Sequence, residues 1–211
     1  MLSFQDFFVA CAGLWRTDRT YHSIRSGEIE RSYTEFRADT LAEVEKQRIL
    51  SGGDFSGIKL DVAALVQENA CPGFAIAFDT KSETGEEVSM QLNALFVPDR
   101  YVDAAAAEFE PQPQPAAAEV ADADAIAGFY LRDEGYSESG AIAGRFTYQP
   151  IRQTLEMTTY YKRSVAVDQM RLVAPDVRLR TIVTYQRPPA GEPPSVITLI
   201  GFGVEKKDQA S

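Results

Sequence analysis

The sequence predicts an all-β fold with short helices, a small antiparallel up-and-down barrel of about eight to ten strands, and three observations carry that prediction. From Arg19 onward most periodic segments have period two. The C-terminal third is a run of strand-like segments, GRFTYQ, LEMTTYYKR, VAVDQMRLVA, VRLRTIVTYQR and SVITLIGFGV, separated by turn signals at Pro150, Ala174-Pro175-Asp176 and PPAGEPP. Helical periodicity is confined to two short stretches. A closed barrel of this size has room for one ligand.

In chain order, a helix comes first, over about residues 3–13. Ser3 and Asp6 resemble a capping box, Phe4, Phe7, Phe8 and Cys11 fall at i, i+3, i+4, i+7, and Gly13 is placed to end it. Its single apolar face predicts packing on a larger body. Residues 58–69, IKLDVAALVQEN, read as a second short helix in a connection. Residues 73–97 read as a hairpin: Phe74, Ile76 and Phe78 alternate with small or polar neighbours, KSETGEE turns the chain, and Val88, Met90, Leu92, Ala94 and Phe96 alternate with Ser89, Gln91 and Asn93. The stretch from about 104 to 125 alternates proline with glutamine and has little to bury, so it reads as a disordered insertion within one domain. A domain boundary there is the competing reading. It is disfavoured because neither half alone has enough strands to close a sheet.

Composition excludes several functions. A net charge of −10 repels polyphosphate, so no nucleic-acid partner is expected. The N-terminus MLSFQDFFVACAGLW has an acid at Asp6 and no preceding basic segment, which fits neither a secretory signal nor membrane insertion and predicts a cytoplasmic protein. Cys11 and Cys71 read as buried free thiols. His22 is the single histidine, so no metal site is expected. There is no Gly-rich phosphate loop and no nucleophile elbow.

The candidate ligand-binding residues follow. Arg178 and Arg180, two apart on a strand, share a face and stand about 7 Å apart, a spacing suited to a diacid. An exposed basic strand is the bland alternative, and pattern does not decide which face lines a cavity. Trp15, after Gly13 in Gly-Leu-Trp, is a lipocalin-like feature in which the indole closes one barrel end, so Gly13 and Trp15 are expected to be structural. Arg19 and His22 follow in RTDRTYH, and Tyr160, Tyr161, Tyr148 and Tyr185 are aromatic candidates to stack on a flat ligand.

Taken together these segments resemble the CpcS/CpeS-type phycobiliprotein bilin lyases. The helix is followed by GLWRTDRTYH, similar to the family's Gly-x-Trp and Arg-Thr-x-His. EGYSE at 134–138 and IAGRF at 142–146 come next, and APDVRLRT at 174–181 is similar to the family's Ser-Pro-Asn-Leu-Arg-Leu-Arg-Thr. The resemblance spans about residues 4–37 and 128–205.

It implies a lipocalin-like barrel of ten strands that binds an open-chain tetrapyrrole, phycocyanobilin or a related bilin, and attaches it as a thioether to a cysteine of an apo-phycobiliprotein subunit. The bilin is then a substrate and no prosthetic group is implied. Arg178, Arg180 and Arg19 are expected to pair with its propionates, and His22 and Tyr160 complete the candidate bilin-binding set; no catalytic residue is assigned. The implied location is the cytoplasm or plastid stroma near phycobilisome assembly, and the implied assembly a homodimer or a heterodimer with an S-type lyase subunit. Arg171 stands where the family carries a tryptophan, Tyr160 and Lys162 where it carries acids, and Gly203 at a further acidic position, with Glu205 two residues on. That pattern is closer to the U-type partner subunits. The alternatives are a non-catalytic bilin-binding subunit or a carrier of another apolar ligand.

Overall fold

A computed structural model describes residues 1–52, 55, 58–103, 112–115, 118, 122–136 and 138–208. Ten strands close into an antiparallel barrel: β1 (Gly13–Ser23), β2 (Ile29–Thr40), β3 (Gly73–Ser82), β4 (Glu87–Pro98), β5 (Ile126–Arg132), β6 (Ile142–Gln149), β7 (Thr154–Tyr160), β8 (Ser164–Ala174), β9 (Val177–Gln186) and β10 (Ile197–Lys207). Each strand pairs with its neighbours in sequence, and β1 closes the ring on β10 with Arg19 opposite Gly203 and Thr17 opposite Glu205. Closure leaves no sheet edge exposed. The hairpin expected over 73–97 is β3 and β4, in a register that sets Phe74 against Ala94 and Phe78 against Met90.

Helix α1 (Phe4–Cys11) is capped by Ser3, whose hydroxyl accepts from the Asp6 amide at 3.1 Å. It ends about two residues earlier than expected. Ala12 is its C-cap, and Gly13 instead opens β1 at φ +125°, a conformation that lets the chain turn sharply from helix into strand. The apolar face of α1 enters one end of the barrel: Phe8 packs on Phe74 and Phe96 at ring separations of 4.7 Å, and Phe7 meets Tyr148 at 4.9 Å. Trp15 is fully buried beneath it and donates its indole N–H to the Cys11 carbonyl at 2.9 Å. That end is therefore a solid aromatic floor.

The connection from β2 to β3 holds two helices, α2 (Glu43–Gly52) and α3 (Val62–Glu68). Only the second was expected, over a longer span. Ile49 and Leu65 cover the outward side chains of β4 and β5, Leu95, Val97, Phe129 and Leu131, and make a second core outside the barrel. These strands are buried on both faces, so the alternation fades after Leu92. Much of the expected insertion at about 104–125 lies outside the described residues. Of its described part, Pro113 lies on the outer barrel wall, where its carbonyl accepts from the Tyr160 hydroxyl.

Candidate functional site

Opposite the aromatic floor the barrel is hollow. A cavity of about 420 Å³ opens toward the turns that join β1 to β2, β3 to β4 and β9 to β10. Its volume falls in the range of small-molecule sites, about 300–1,000 Å³. Aromatic rings dominate the wall, from Tyr21, Phe36, Phe78, Tyr130, Tyr136 and Tyr161, and Arg19, Arg180 and Asp168 supply its charge.

Side-chain alternation decides which residues reach this space. On β9, Arg180, Ile182 and Thr184 point inward and line it, while Leu179 faces solvent. Arg178 also points inward, one layer lower. It does not line the main cavity; its guanidinium stacks on the Trp15 ring at 4.2 Å and on Phe36 at 5.1 Å, and its Nε donates to Glu205. Two strand positions displace a side chain along the barrel axis as well as setting its face, so a shared face did not make a shared site. Arg180 is held by Asp168 through two hydrogen bonds, from Nε and Nη2. Arg19 donates to Glu205 at 2.8 Å.

Glu205 thus sits between two guanidiniums with its side chain fully buried. Burial would raise its pKa, but Arg178, Arg180 and Arg19 together outweigh it and hold the carboxyl at about 2. Gly203 makes the arrangement possible: an added Cβ would lie 2.8 Å from Thr17 Oγ1 and 3.1 Å from Arg19 Cγ, so the missing side chain leaves the room through which Arg19 passes.

Two expected ligand contacts are placed elsewhere. His22 is on the outer face of β1, stacked on Phe202 at 5.9 Å, because inward positions on that strand are Trp15, Thr17, Arg19 and Tyr21. Tyr160 also faces outward, against Pro113 and under the Arg187 guanidinium at 5.1 Å. Its neighbour Tyr161 takes the inward position and lines the cavity. Arg171 points away from the cavity toward Thr154, to which its Nε donates at 2.8 Å, and Lys162 is exposed beside the mouth near Glu138.

Asp168 and Arg132 were missed in the sequence. On β8 the outward Val165 and Val167 are buried under Tyr160, Val183, Tyr185 and Ile197, while the inward positions Ser164, Ala166 and Asp168 are small or polar because they border the hollow. Hydrophobic alternation therefore points the wrong way on this strand. The signal available was an acid in an otherwise apolar run.

Both thiols are buried and unpaired as disulfides. Burial pushes Cys11 up to about 11 and Cys71 up to about 12, so neither is a thiolate at neutral pH. Among the described residues no group of three His, Cys, Asp or Glu side chains is placed to hold a metal ion, and no described helix is long and apolar enough to cross a membrane.

Comparison with known proteins follows the same lines. A family described as CpeS-like protein matches residues 3–105 and 113–207. The chain is 41% identical over 204 residues to Chromophore lyase CpcS/CpeS 1 of Synechococcus sp. (strain JA-3-3Ab), covering 97% of this chain and 96% of that one. Its fold is similar to the S-type phycobiliprotein lyase CPES of Guillardia theta, with a TM-score of 0.60 at 17% identity over 100% of this chain and 95% of the other. At that identity the structural likeness speaks for the fold alone.

Proposed function

This chain belongs to the CpeS-like family, and from that premise we propose that it is a phycobiliprotein chromophore lyase, which holds an open-chain tetrapyrrole in the barrel and delivers it to a cysteine of a phycobiliprotein subunit. The observation that carries this reading is the cavity itself: half-open, walled by flat aromatic rings, and charged by arginines on an otherwise acidic protein.

Each feature has a use in that chemistry. Thioether formation adds the acceptor's S–H across a double bond of the conjugated system, so no group leaves and the task is to hold one geometry and place one proton. The aromatic wall stacks on the pyrrole rings, and the solid floor set by Phe8 and Trp15 keeps water from one end. Arg180 and Arg19 face the propionates, while Arg178 acts from beneath by fixing Glu205. Asp168 is the cavity carboxylate, and in this reading it holds Arg180 and accepts from a pyrrole N–H. The nucleophile belongs to the acceptor, in keeping with the raised pKa of Cys11 and Cys71.

A second reading, a bilin-holding partner subunit that needs an S-type paralogue for transfer, follows from Lys162 and Gly203, which stand where the resemblance drawn from the sequence implies acids. One experiment separates the two. The protein is mixed with phycocyanobilin and an apo-phycobiliprotein, with and without an S-type lyase, and the product is denatured in acid urea. A covalent, fluorescent adduct formed by the chain alone is the expected result. An adduct only with the paralogue supports the partner reading, and no adduct in either mixture, with no visible spectral shift, overturns both.

A further inference from the structure

A fourth buried arginine lies outside this account. Arg132, the last residue of β5, is fully buried and points into the barrel. Its guanidinium is caged by three tyrosines, 4.5 Å from the ring of Tyr136, 5.1 Å from Tyr130 and 5.6 Å from Tyr161. All three rings line the cavity. One nitrogen, Nη2, donates to the Tyr161 hydroxyl at 2.8 Å, whereas Nε and Nη1 are buried and have no hydrogen-bond partner among the described residues. Among the described residues Arg132 has no carboxylate within ion-pair distance, in contrast to Arg19 and Arg178, which share Glu205, and Arg180, which pairs with Asp168.

A buried guanidinium without a counter-ion is costly, and two unsatisfied donors add to that cost. The tyrosine faces offset part of it through cation–π attraction. They do not supply an acceptor for Nε or Nη1. Around the cavity and in the layer beneath it, four arginines face two carboxylates, an excess of two positive charges inside a chain whose net charge is −10. β5 stands across the barrel from β9, four strands away in the ring, so the unpaired cation and the Arg180 cluster occupy opposite walls.

We propose that Arg132 is a carboxylate receptor of the cavity, taking one acid group of a dicarboxylate ligand whose other acid group lies on the Arg180 and Arg19 wall. Tyr136, 41% exposed, covers the guanidinium, and rotation of its side chain toward solvent opens Arg132 to the cavity. The identity of the dicarboxylate as a tetrapyrrole rests on the function proposed above; the receptor role rests on Arg132 itself.

The test compares a free acid with its ester. Binding of biliverdin and of biliverdin dimethyl ester is followed by visible absorption for the wild-type protein, R132Q and R132K, each first checked for fold by circular dichroism. The wild type is expected to prefer the diacid. R132Q is expected to lose about 10- to 100-fold in affinity for the diacid, the equivalent of about 1.5–3 kcal/mol for a hydrogen bond to a charged group, with its affinity for the ester unchanged. R132K is expected to recover part of the loss. Equal losses for acid and ester, or none for either, overturn the receptor role. If the wild type binds neither tetrapyrrole, the tetrapyrrole reading fails, and the same comparison with hexadecanedioate and its dimethyl ester, followed by calorimetry, decides the Arg132 assignment: a loss in R132Q confined to the diacid supports it, and equal or no loss overturns it.

Discussion

At Glu205 a fully buried carboxylate is shared by Arg19 and Arg178, and both guanidiniums depend on this one anion. Replacing it by Gln leaves two buried guanidiniums without an anion, which costs about 3–5 kcal/mol when a buried pair is broken from one side. The E205Q protein is expected to unfold at clearly lower urea than the wild type, measured by tryptophan fluorescence from Trp15. Acid should act on the same group. Its folded pKa, about 2, lies below the ordinary 4.5, so its contribution is complete above that ordinary value and is lost as pH falls through the folded one. Urea midpoints are expected to fall for the wild type between about pH 4.5 and pH 2, and less steeply for E205Q. None of this was legible in the sequence, where Glu205 was only an acid two residues beyond Gly203. The Arg-x-Arg pair was legible as a same-face pair, but its division between a cavity wall and a barrel floor depends on the depth of each side chain.

At the level of single elements, α1 is the piece whose sequence and role agree. Its i, i+3, i+4, i+7 pattern marked a face made to be covered, and Phe4, Phe7, Phe8 and Cys11 are all buried in the barrel floor. Truncating Phe8 to Ala removes the ring that packs on both Phe74 and Phe96, and about 3–5 kcal/mol of stability is expected to go with it. Because Phe8 is on the floor and not among the cavity-lining residues, the folded variant is expected to bind ligand as the wild type does, as judged by absorption titration. The opposite case is α2. Its sequence EVEKQRILSG has a weak apolar face, and Ile49 alone anchors it firmly. Tertiary packing on β4 and β5 makes it a helix, which local periodicity does not report.

Across the whole molecule, the barrel separates an aromatic floor from a charged hollow, with a second core outside it, and the thiols report on the floor and on that outer core. Cys11, the last residue of α1, is buried in the floor, and Cys71 lies under α2 and α3 in the outer core, both with raised pKa. In native protein at pH 7.5 neither is expected to react with Ellman's reagent, and both are expected to react as denaturant unfolds the barrel; fast native labelling of either would mean that its covering helix opens. The sequence by itself determined an antiparallel barrel of about eight to ten strands, the N-terminal helix and the family resemblance through Gly-x-Trp and APDVRLRT, which implied ten, because period-two alternation, turn residues and caps are local properties of the chain. Only the tertiary structure decided which residues face the cavity. Where a barrel wall borders a hollow on one side and a packed outer cluster on the other, as on β8, apolar residues turn outward and small or polar ones inward. That inversion hid Asp168. Arg132 was hidden because its tyrosine cage comes from β5, the loop after it and the chain just past β7, which only closure of the barrel brings together.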